Sequence, residues 1–411
     1  MFHLAWFGST GPDHWNGPSQ TLYDWRQPDI YQDIARLCER AKFDVVIFAD
    51  GLAVPKVMGS RDLYVRNGQF IQFDPVPIMA MMAAVTDRIG FASTLSSTFY
   101  PPFMLARMLA TMDHMTRGRI AWNLVTTASA DAAQNFGYDE WLAHDERYDR
   151  ADEYVALCRA LWDSWETDAI VEDHDAGLFA DPAKVHEIDF RGKYFRSMGP
   201  LNVTASPQRH PVICVAGTSP RGMRFAGRHG DMAIGQKISV AEMKKTVDTL
   251  RTEASNAGRD PMSVKVSFSI KPVMAQTDAM ARELQDWRQE HAKIEQGLAT
   301  LSYFMGIDLL AFDLDKPLPD DLTVNGMQST LHRYRSMPKG TTLRDFAREE
   351  ALHETFRICG SYEHVADVLE DAQKQSGCDM FHFRAGTTDY DYLADAAMRL
   401  VPVLQRRGLV R

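Results

Sequence analysis

The sequence from Gly118 to Tyr154 reads GRIAWNLVTTASADAAQNFGYDEWLAHDERYDRADEY, and this stretch decides the fold. The apolar run Arg119 to Val125 predicts a buried strand, and the small polar residues after it predict a loop. The loop leads into an amphipathic helix predicted from His144 to Trp165, on which His144 and Tyr148 share one face. That face continues as an apolar stripe and is expected to turn towards the core. An imidazole and a phenol are therefore predicted at the mouth of a buried face.

The same strand-then-helix unit recurs along the whole chain. The predicted strands are Phe2 to Phe7, Phe43 to Asp50, Ile89 to Ser97, Arg119 to Val125, Val212 to Ala216, Asp231 to Gly235, Val264 to Met274 and Asp379 to Arg384. Strands that alternate with helices predict parallel pairing with right-handed crossovers. Eight such strands predict a (β/α)8 TIM barrel, an α/β fold. We expect one domain over residues 1–411, with irregular insertions at about 167–210 and 298–343.

Composition excludes several classes of protein. The net charge of −10 argues against a nucleic-acid binder, which carries a basic surface. Five widely spaced cysteines without a CxxC pair predict reduced core thiols, neither disulfides nor a metal site. The first residues lack the pattern of a signal peptide, and no apolar run is long enough for a membrane span. We expect a cytoplasmic enzyme without a membrane anchor.

A short motif after the fifth strand is typical of an anion site. Val215 to Gly222 reads VAGTSPRG, with Ser219 at a helix N-cap and Pro220 in the first turn. Free backbone N–H groups at such a helix start can bind phosphate, and Arg221 and Arg228 are nearby cations. The alternative is that Ser219 only caps its helix, as most such serines do.

Candidate site residues share one position in the repeating unit: each lies at a strand's carboxyl end or in the loop or helix start that follows. They are Asp50, Thr94, Asn123, His144, Tyr148 and Ser219. In a parallel barrel this end carries the active site. Individually, Asp50 could cap a loop, Asn123 could bond a neighbouring loop, and Tyr148 could be core packing.

Several ordered motifs resemble one known family, the bacterial-luciferase-like flavin monooxygenases. The closest resemblance is to the branch of nitrilotriacetate monooxygenase component A and dibenzothiophene sulfone monooxygenase. The motifs include Phe48 to Leu52 (FADGL), Leu109 to Gly118 (LATMDHMTRG), Trp122 to Thr126 (WNLVT), Asn135 to Gly137 (NFG), His144 to Tyr148 (HDERY), Phe190 to Phe195 (FRGKYF) and Ala216 to Ser219 (AGTS). They are dense from Pro28 to Gly235 and sparse in the last third.

The resemblance implies a cofactor, a reaction and partners. The family binds reduced FMN, and the six candidate residues occupy the positions that contact the flavin or its phosphate. O2 would be activated as a flavin (hydro)peroxide that inserts one oxygen into a small organic substrate. Because the chain lacks a convincing GxGxxG fingerprint, a separate NAD(P)H:flavin reductase would supply the reduced FMN. The family also implies a homodimer or homotetramer, and His14 is a candidate acid or base on the substrate side.

Two alternatives remain open at the level of sequence. One is an F420-dependent oxidoreductase on the same barrel, and the other is a flavin-binding protein without catalysis. The chain departs from the family pattern in the loop Thr10 to His14 and after Leu298, and both regions would border the substrate. The substrate and the position of the oxidant on the flavin, C4a or N5, therefore do not carry over.

Overall fold

A computed structural model of the chain describes residues 1–12, 15, 24–127, 129–139, 142–217, 219–324, 326–353, 356–386 and 389–411. The strands are β1 (His3–Gly8), β2 (Val45–Phe48), β3 (Gly90–Ser96), β4 (Ile120–Val125), β5 (Ile170–Asp173), β6 (Leu178–Ala180), β7 (Phe190–Arg191), β8 (Arg196–Ser197), β9 (Val212–Val215), β10 (Met232–Gly235), β11 (Lys265–Ile270), β12 (Val273–Ala275), β13 (Cys359–Ser361) and β14 (Met380–Arg384).

The α-helices are α1 (Pro28–Arg40), α2 (Asp62–Arg66), α3 (Pro75–Ala83), α4 (Pro102–Thr116), α5 (Ala130–Asn135), α6 (His144–Trp162), α7 (Pro220–His229), α8 (Val240–Asn256), α9 (Asp278–Glu290), α10 (Ile294–Met305), α11 (Gln328–Arg335), α12 (Leu343–Leu352), α13 (Tyr362–Ser376), α14 (Tyr390–Asp395) and α15 (Val401–Arg406). A π-helical turn, Ala396–Leu400, joins α14 to α15.

The predicted TIM barrel is confirmed. Eight parallel strands close in the order β1-β14-β11-β10-β9-β4-β3-β2, and all eight correspond to predicted strands. The first and last strands complete the ring, with His3 opposite Met380 and Phe7 opposite Arg384.

The barrel has separate inner and outer cores because side chains alternate across a strand. Inside lies a cluster drawn from seven strands, in which small residues and larger aliphatic ones are mixed: Ala5, Ile47, Ala92, Ala121, Cys214, Met232, Ile234 and Met380. The outer cluster is larger, and in it residues such as Trp6, Phe91 and Trp122 pack against the surrounding helices. These inward side chains fill the barrel, so a ligand site can form only at its ends.

Helix starts follow local chemistry. Pro28, Pro75 and Pro102 each occupy a first helical turn. A backbone N–H there would have no hydrogen-bond partner within the helix, so its absence in proline costs nothing. Ser219 caps α7 by accepting the Gly222 backbone N–H at 3.0 Å. The alternation also predicts a helix from about Val240 to Asn256, and α8 is observed with those bounds.

The two segments predicted to be irregular contain regular elements. The first holds two small antiparallel pairs, β5 with β6 and β7 with β8. The second overlaps α10 and contains α11, and with α12 these helices bury a hydrophobic cluster of their own. Helix α13 was missed by the sequence analysis, and the predicted strand Val264 to Met274 divides into β11 and β12 around Lys271 and Pro272. The organisation as one domain with two insertions stays a prediction.

The helices in the described part of the chain include none that combines the length and apolar character needed to cross a membrane.

Candidate active site

A cavity of about 390 Å³ opens at the carboxyl-terminal ends of the barrel strands. Residues at or just after strand ends form its floor, among them Asp50, Asn123, Ala216 and Gln236. Residues 67–72 and helices α10 to α12 form the opposite wall. The active face predicted from sequence therefore carries a ligand-sized cavity.

Asp50 lies in this cavity, two residues after β2. Gln72 Nε2 donates to Asp50 Oδ1 at 3.1 Å and to the Gly51 carbonyl at 3.2 Å. Burial raises the pKa of Asp50 to about 7, helped by the charge of Asp74 and opposed by hydrogen bonds from Gly51 and Gln72. The carboxyl group can therefore hold or release a proton near neutral pH.

Thr94 and Asn123 form a buried hydrogen-bonded pair on the cavity floor. Thr94 Oγ1 donates to the Phe48 carbonyl at 2.7 Å and accepts from Asn123 Nδ2 at 2.6 Å. The pair fixes the orientation of the Asn123 amide. Asn123 Oδ1 is buried and has no hydrogen-bond partner among the described residues. A buried acceptor without a donor is destabilising, so this atom is suited to receive an N–H from a ligand.

His144, Tyr148 and Ser219 converge beside the cavity. His144 Nε2 and Ser219 Oγ are 3.4 Å apart, and the rings of His144 and Tyr148 lie 5.2 Å apart, edge to face. Tyr148 is 8% exposed, and burial raises its pKa although hydrogen bonds to Ser219 and Thr126 oppose the rise. The phenol therefore stays protonated and can donate.

Two glycines give these side chains room. A Cβ atom on Gly217 or on Gly222 would lie 2.8 Å from the Tyr148 hydroxyl oxygen. Each such Cβ would also lie 3.0 Å from the Cα of the other glycine, so the two backbones pass too closely for side chains. We call the group His144, Tyr148, Gly217, Ser219 and Gly222 the cradle. It combines hydroxyl, phenol and imidazole groups with the N-terminus of α7, a set that suits a phosphate.

Arg221 and Arg228, considered above as cations for an anion site, approach carboxylates instead. Arg221 forms ion pairs with Asp149 at 3.0 Å and Asp152 at 2.6 Å, and its guanidinium lies 5.4 Å from the centre of the Tyr148 ring. Arg228 is largely exposed and approaches Asp152 only to 3.9 Å. Arg221 therefore supports the cradle through its contact with the Tyr148 ring.

The six candidate residues fall into two adjoining groups. Asp50, Thr94 and Asn123 line the cavity, whereas His144, Tyr148 and Ser219 belong to the cradle. The two groups adjoin along the chain. Val125 and Ala216 line the cavity, and the residues that follow them, Thr126 and Gly217, lie at the cradle. The seventh candidate, His14, lies outside the described residues. The functional roles of all seven stay predictions.

The cavity also contains a charged cluster that the sequence analysis missed. Glu350, on α12, is 1% exposed in its side chain, forms an ion pair with Arg333 of α11, and lies 3.6 Å from Arg384. Burial opposes ionisation of Glu350, but the two arginine charges outweigh it and hold its pKa below the usual value. Arg384 ends a predicted strand and Lys237 follows another, so the strand-end rule that selected Asp50 could have found both. Arg333, in a segment without clear periodicity, gave no such signal.

A closed parallel barrel with a ligand-sized cavity at its carboxyl-terminal face is the architecture of barrel enzymes. Comparison with known proteins narrows this class. A family model described as luciferase-like monooxygenase matches residues 3–379. A dibenzothiophene-sulfone monooxygenase of Rhodococcus erythropolis (strain XP) is 38% identical over an alignment that covers 100% of this chain and 94% of that protein.

Solved structures give the same result. The crystal structure of DmoA from Hyphomicrobium sulfonivorans superposes with a TM-score of 0.91 at 33% identity, over 100% of this chain and 89% of that one. A riboflavin lyase, solved with modified FMN and riboflavin, superposes with a TM-score of 0.92 at 31% identity, over 100% of this chain and 93% of that one. The chain belongs to the luciferase-like monooxygenase family. It is a flavin-dependent monooxygenase, which uses reduced flavin and O2 to insert one oxygen atom into a small organic substrate.

Proposed function

We propose that the flavin is FMN, with its phosphate in the cradle and its ring system in the adjoining cavity. The observation that carries this proposal is the junction of the two sites. The cradle offers donors at the N-terminus of α7, and Ala216, the residue before Gly217 of the cradle, lines the cavity. A cofactor with a terminal phosphate attached to an extended ring suits that arrangement.

In the cradle, the side chains act as donors to a dianion. Ser219 Oγ and the Tyr148 phenol lie within hydrogen-bond reach of one another, and the positive end of the α7 dipole adds to their attraction. Gly217 and Gly222 keep the space open, because any side chain there would meet the phenol oxygen. His144 completes the set through its Nε2 atom, 3.4 Å from Ser219 Oγ.

In the cavity, Asn123 and Asp50 have different tasks. Asn123 Oδ1, held in place through Thr94, would accept a hydrogen bond from the flavin ring. Asp50, with a pKa raised to about 7 by burial, would exchange a proton near the reacting atoms. Reduced FMN supplies the electrons with which O2 is activated.

The wall opposite the strands would keep water from the reaction. Phe70 packs on Tyr303 of α10 with ring centres 4.2 Å apart, and Tyr64 donates to the Ala299 carbonyl at 3.0 Å. Gln69 donates to the Gln296 carbonyl at 3.0 Å. These contacts fasten residues 64–70 to α10 and form a roof over the cavity. A roof of this kind protects a reactive oxygen species from hydrolysis.

Three further features belong to the proposal. We infer that a separate NAD(P)H:flavin reductase delivers the reduced FMN, and that the protein is a homodimer or homotetramer, which light scattering would measure. We infer a cytoplasmic location from the buried free thiols of Cys38, Cys158, Cys214 and Cys378. We also retain His14 as an acid or base on the substrate side. His14→Gln is expected to lower kcat while FMN affinity stays unchanged, and an unchanged kcat would remove the assignment.

The test is an anaerobic titration of the purified protein with reduced FMN, compared with oxidised FMN, reduced FAD and reduced F420, followed by mixing with O2. We expect selective binding of reduced FMN and rapid oxygen-dependent reoxidation on the protein. Preference for F420 without oxygen consumption would favour the hydride-transferring alternative. Flavin binding without turnover of any organic substrate would favour a non-catalytic protein.

A matched pair of variants tests the phosphate assignment. Ser219→Asp keeps a good N-cap but places a carboxylate in the cradle, whereas Ser361→Asp makes the same change at the N-cap of α13. Two like charges about 4 Å apart near a protein surface repel by about 4 kcal/mol, so Ser219→Asp should weaken FMN binding at least about a hundredfold. Both variants should fold. Equal FMN affinities would refute the placement of the phosphate.

A further inference from the structure

Lys237 is a cation on the cavity wall that forms no ion pair with the described residues. It follows β10, is partly buried, and lines the cavity beside Gln236. Burial lowers its pKa, and Glu242 is the carboxylate that opposes this shift. Within the described ranges, however, the Lys237 ammonium has no carboxylate within 4 Å and no hydrogen-bond partner. An ammonium so placed gains from any anion that enters the cavity.

Two guanidinium groups extend this positive region. Arg333 donates to Gln236 Oε1 at 3.2 Å, which places its side chain next to the residue before Lys237. Arg333 Nε is buried and lacks an acceptor among the described residues. Arg333 and Arg384 both contact the carboxylate of Glu350. We call Lys237, Arg333 and Arg384 the basic end of the cavity.

The carboxyl groups of the cavity do not cancel this charge. Glu350 lies between the two arginines, and Glu242 accepts the Ile238 backbone N–H at 3.2 Å. Asp50, whose pKa burial raises to about 7, is only partly ionised at neutral pH. His382 adds no charge because burial lowers its pKa to about 3. Among the described residues at this part of the cavity lining, cations therefore outnumber ionised carboxylates.

We propose that the basic end binds an acidic group of the substrate, so that the enzyme acts on an organic anion such as a carboxylate or sulfonate. This inference rests on the proposed function, because the cavity must be where the substrate meets the flavin. Its chemistry is separate, however: the FMN phosphate is assigned to the cradle, and the basic end is formed by other strands and by α11. The anion would pair with the Lys237 ammonium and the arginine donors, which are geometrically suited to two oxygens.

The experiment uses two probes of nearly the same shape, the anion naphthalene-2-sulfonate and the neutral naphthalene-2-sulfonamide. Binding of each is measured by titration calorimetry on the protein with FMN present. We expect the sulfonate to bind at least roughly tenfold more tightly, as one charge-assisted hydrogen bond implies. Lys237→Gln should remove most of this preference without leaving any carboxylate unpaired. The control is Lys245→Gln, the same change at an exposed lysine of α8 outside the cavity.

Each outcome decides the proposal. Equal affinity for the two probes, no measurable affinity for either, or a sulfonate preference that survives Lys237→Gln would overturn it. A variant that binds reduced FMN more weakly but keeps the sulfonate preference would assign Lys237 to the flavin and also overturn it. FMN titrations of the same proteins separate the two hypotheses. A sulfonate preference without FMN binding would contradict the proposal that the cofactor is FMN, but it would still support the anion site.

Discussion

Replacement of Gly222 by alanine should damage cofactor binding far more than it damages the fold. The new Cβ would lie 2.8 Å from the Tyr148 hydroxyl oxygen and 3.0 Å from the Gly217 Cα, closer than such atoms normally approach. Overpacking of this kind costs about 1–3 kcal/mol. Because Gly222 is in the first turn of α7, alanine also returns about 0.5–1 kcal/mol of helix stability. The net loss of unfolding free energy should be about 2 kcal/mol or less.

The loss in FMN affinity follows from the displaced phenol. If the Tyr148 hydroxyl moves away from the phosphate, one charge-assisted hydrogen bond is lost, about 1.5–3 kcal/mol or roughly 10- to 150-fold in Kd. Flavin fluorescence titration measures Kd, and urea denaturation measures stability. Gly90→Ala is the control, because its Cβ would come no closer than 3.4 Å to any neighbour outside its own chain segment.

A double-mutant cycle with Tyr148→Phe tests the reasoning itself. The phenylalanine removes the hydroxyl that the new Cβ would meet, so Gly222→Ala should weaken FMN binding less in this background than in the wild type. An unchanged FMN Kd in Gly222→Ala, or additive effects of the two substitutions, would show that a clash with the Tyr148 hydroxyl does not control FMN binding.

Three further perturbations have calculable results. The folded pKa of Asp50 is raised to about 7 from an unfolded value of about 3.9, so the folded state binds more protons between these values and stability falls as pH rises through that window. Asp50→Asn should remove about 2–4 kcal/mol of this pH dependence of stability, which would appear as a flatter curve of Tm against pH. An unaltered curve would contradict the raised pKa of Asp50. Thr94→Val takes away the acceptor of Asn123 Nδ2 and should destabilise the protein by about 1–3 kcal/mol in urea denaturation, whereas Thr94→Ser should not. Arg333→Met leaves Glu350 buried with Arg384 alone and should lower stability by about 3–5 kcal/mol; a change in Tm no larger than that of a surface substitution would argue against the ion pair.

The barrel could be predicted because its signals are local. Most barrel strands are short apolar runs that follow a helix, and α8 has both a serine cap and a regular apolar face, so its bounds could be predicted. Helix α13 carries the same signals, Ser361 as its cap and a buried stripe including Val365 and Leu369. It lies beyond the insertion expected at about 298–343, and the sequence analysis assigned no element between that insertion and the strand predicted from Asp379, so these signals were not used.

The hairpin of β5 and β6 had no comparable signal. Every residue of β5 is exposed, so the strand lacks the alternation of buried and exposed side chains by which strands are recognised. Its pairing depends on backbone hydrogen bonds with β6, which sequence patterns do not encode.

The residues of the site likewise divide into those that the sequence could predict and those that it could not. Asp50, Asn123 and Ser219 could be selected because parallel strands bring their carboxyl ends to one face. The pairing of Glu350 with Arg333 and Arg384 could not, because it depends on how α11 and α12 pack over the barrel. That packing is tertiary, and neither helix reveals its partner in its own sequence.

The closure of the barrel by β1 and β14 has a consequence for synthesis on the ribosome. One edge of β1 pairs with β2 early, but its other edge pairs with residues Met380 to Arg384. At about 5–20 residues per second, roughly 20–75 seconds separate the translation of the two strands. During that interval the nascent chain presents an unpaired, largely apolar strand edge, of the kind to which another chain can add. Demand for chaperones should therefore be greatest before translation ends and should fall sharply once β14 leaves the exit tunnel.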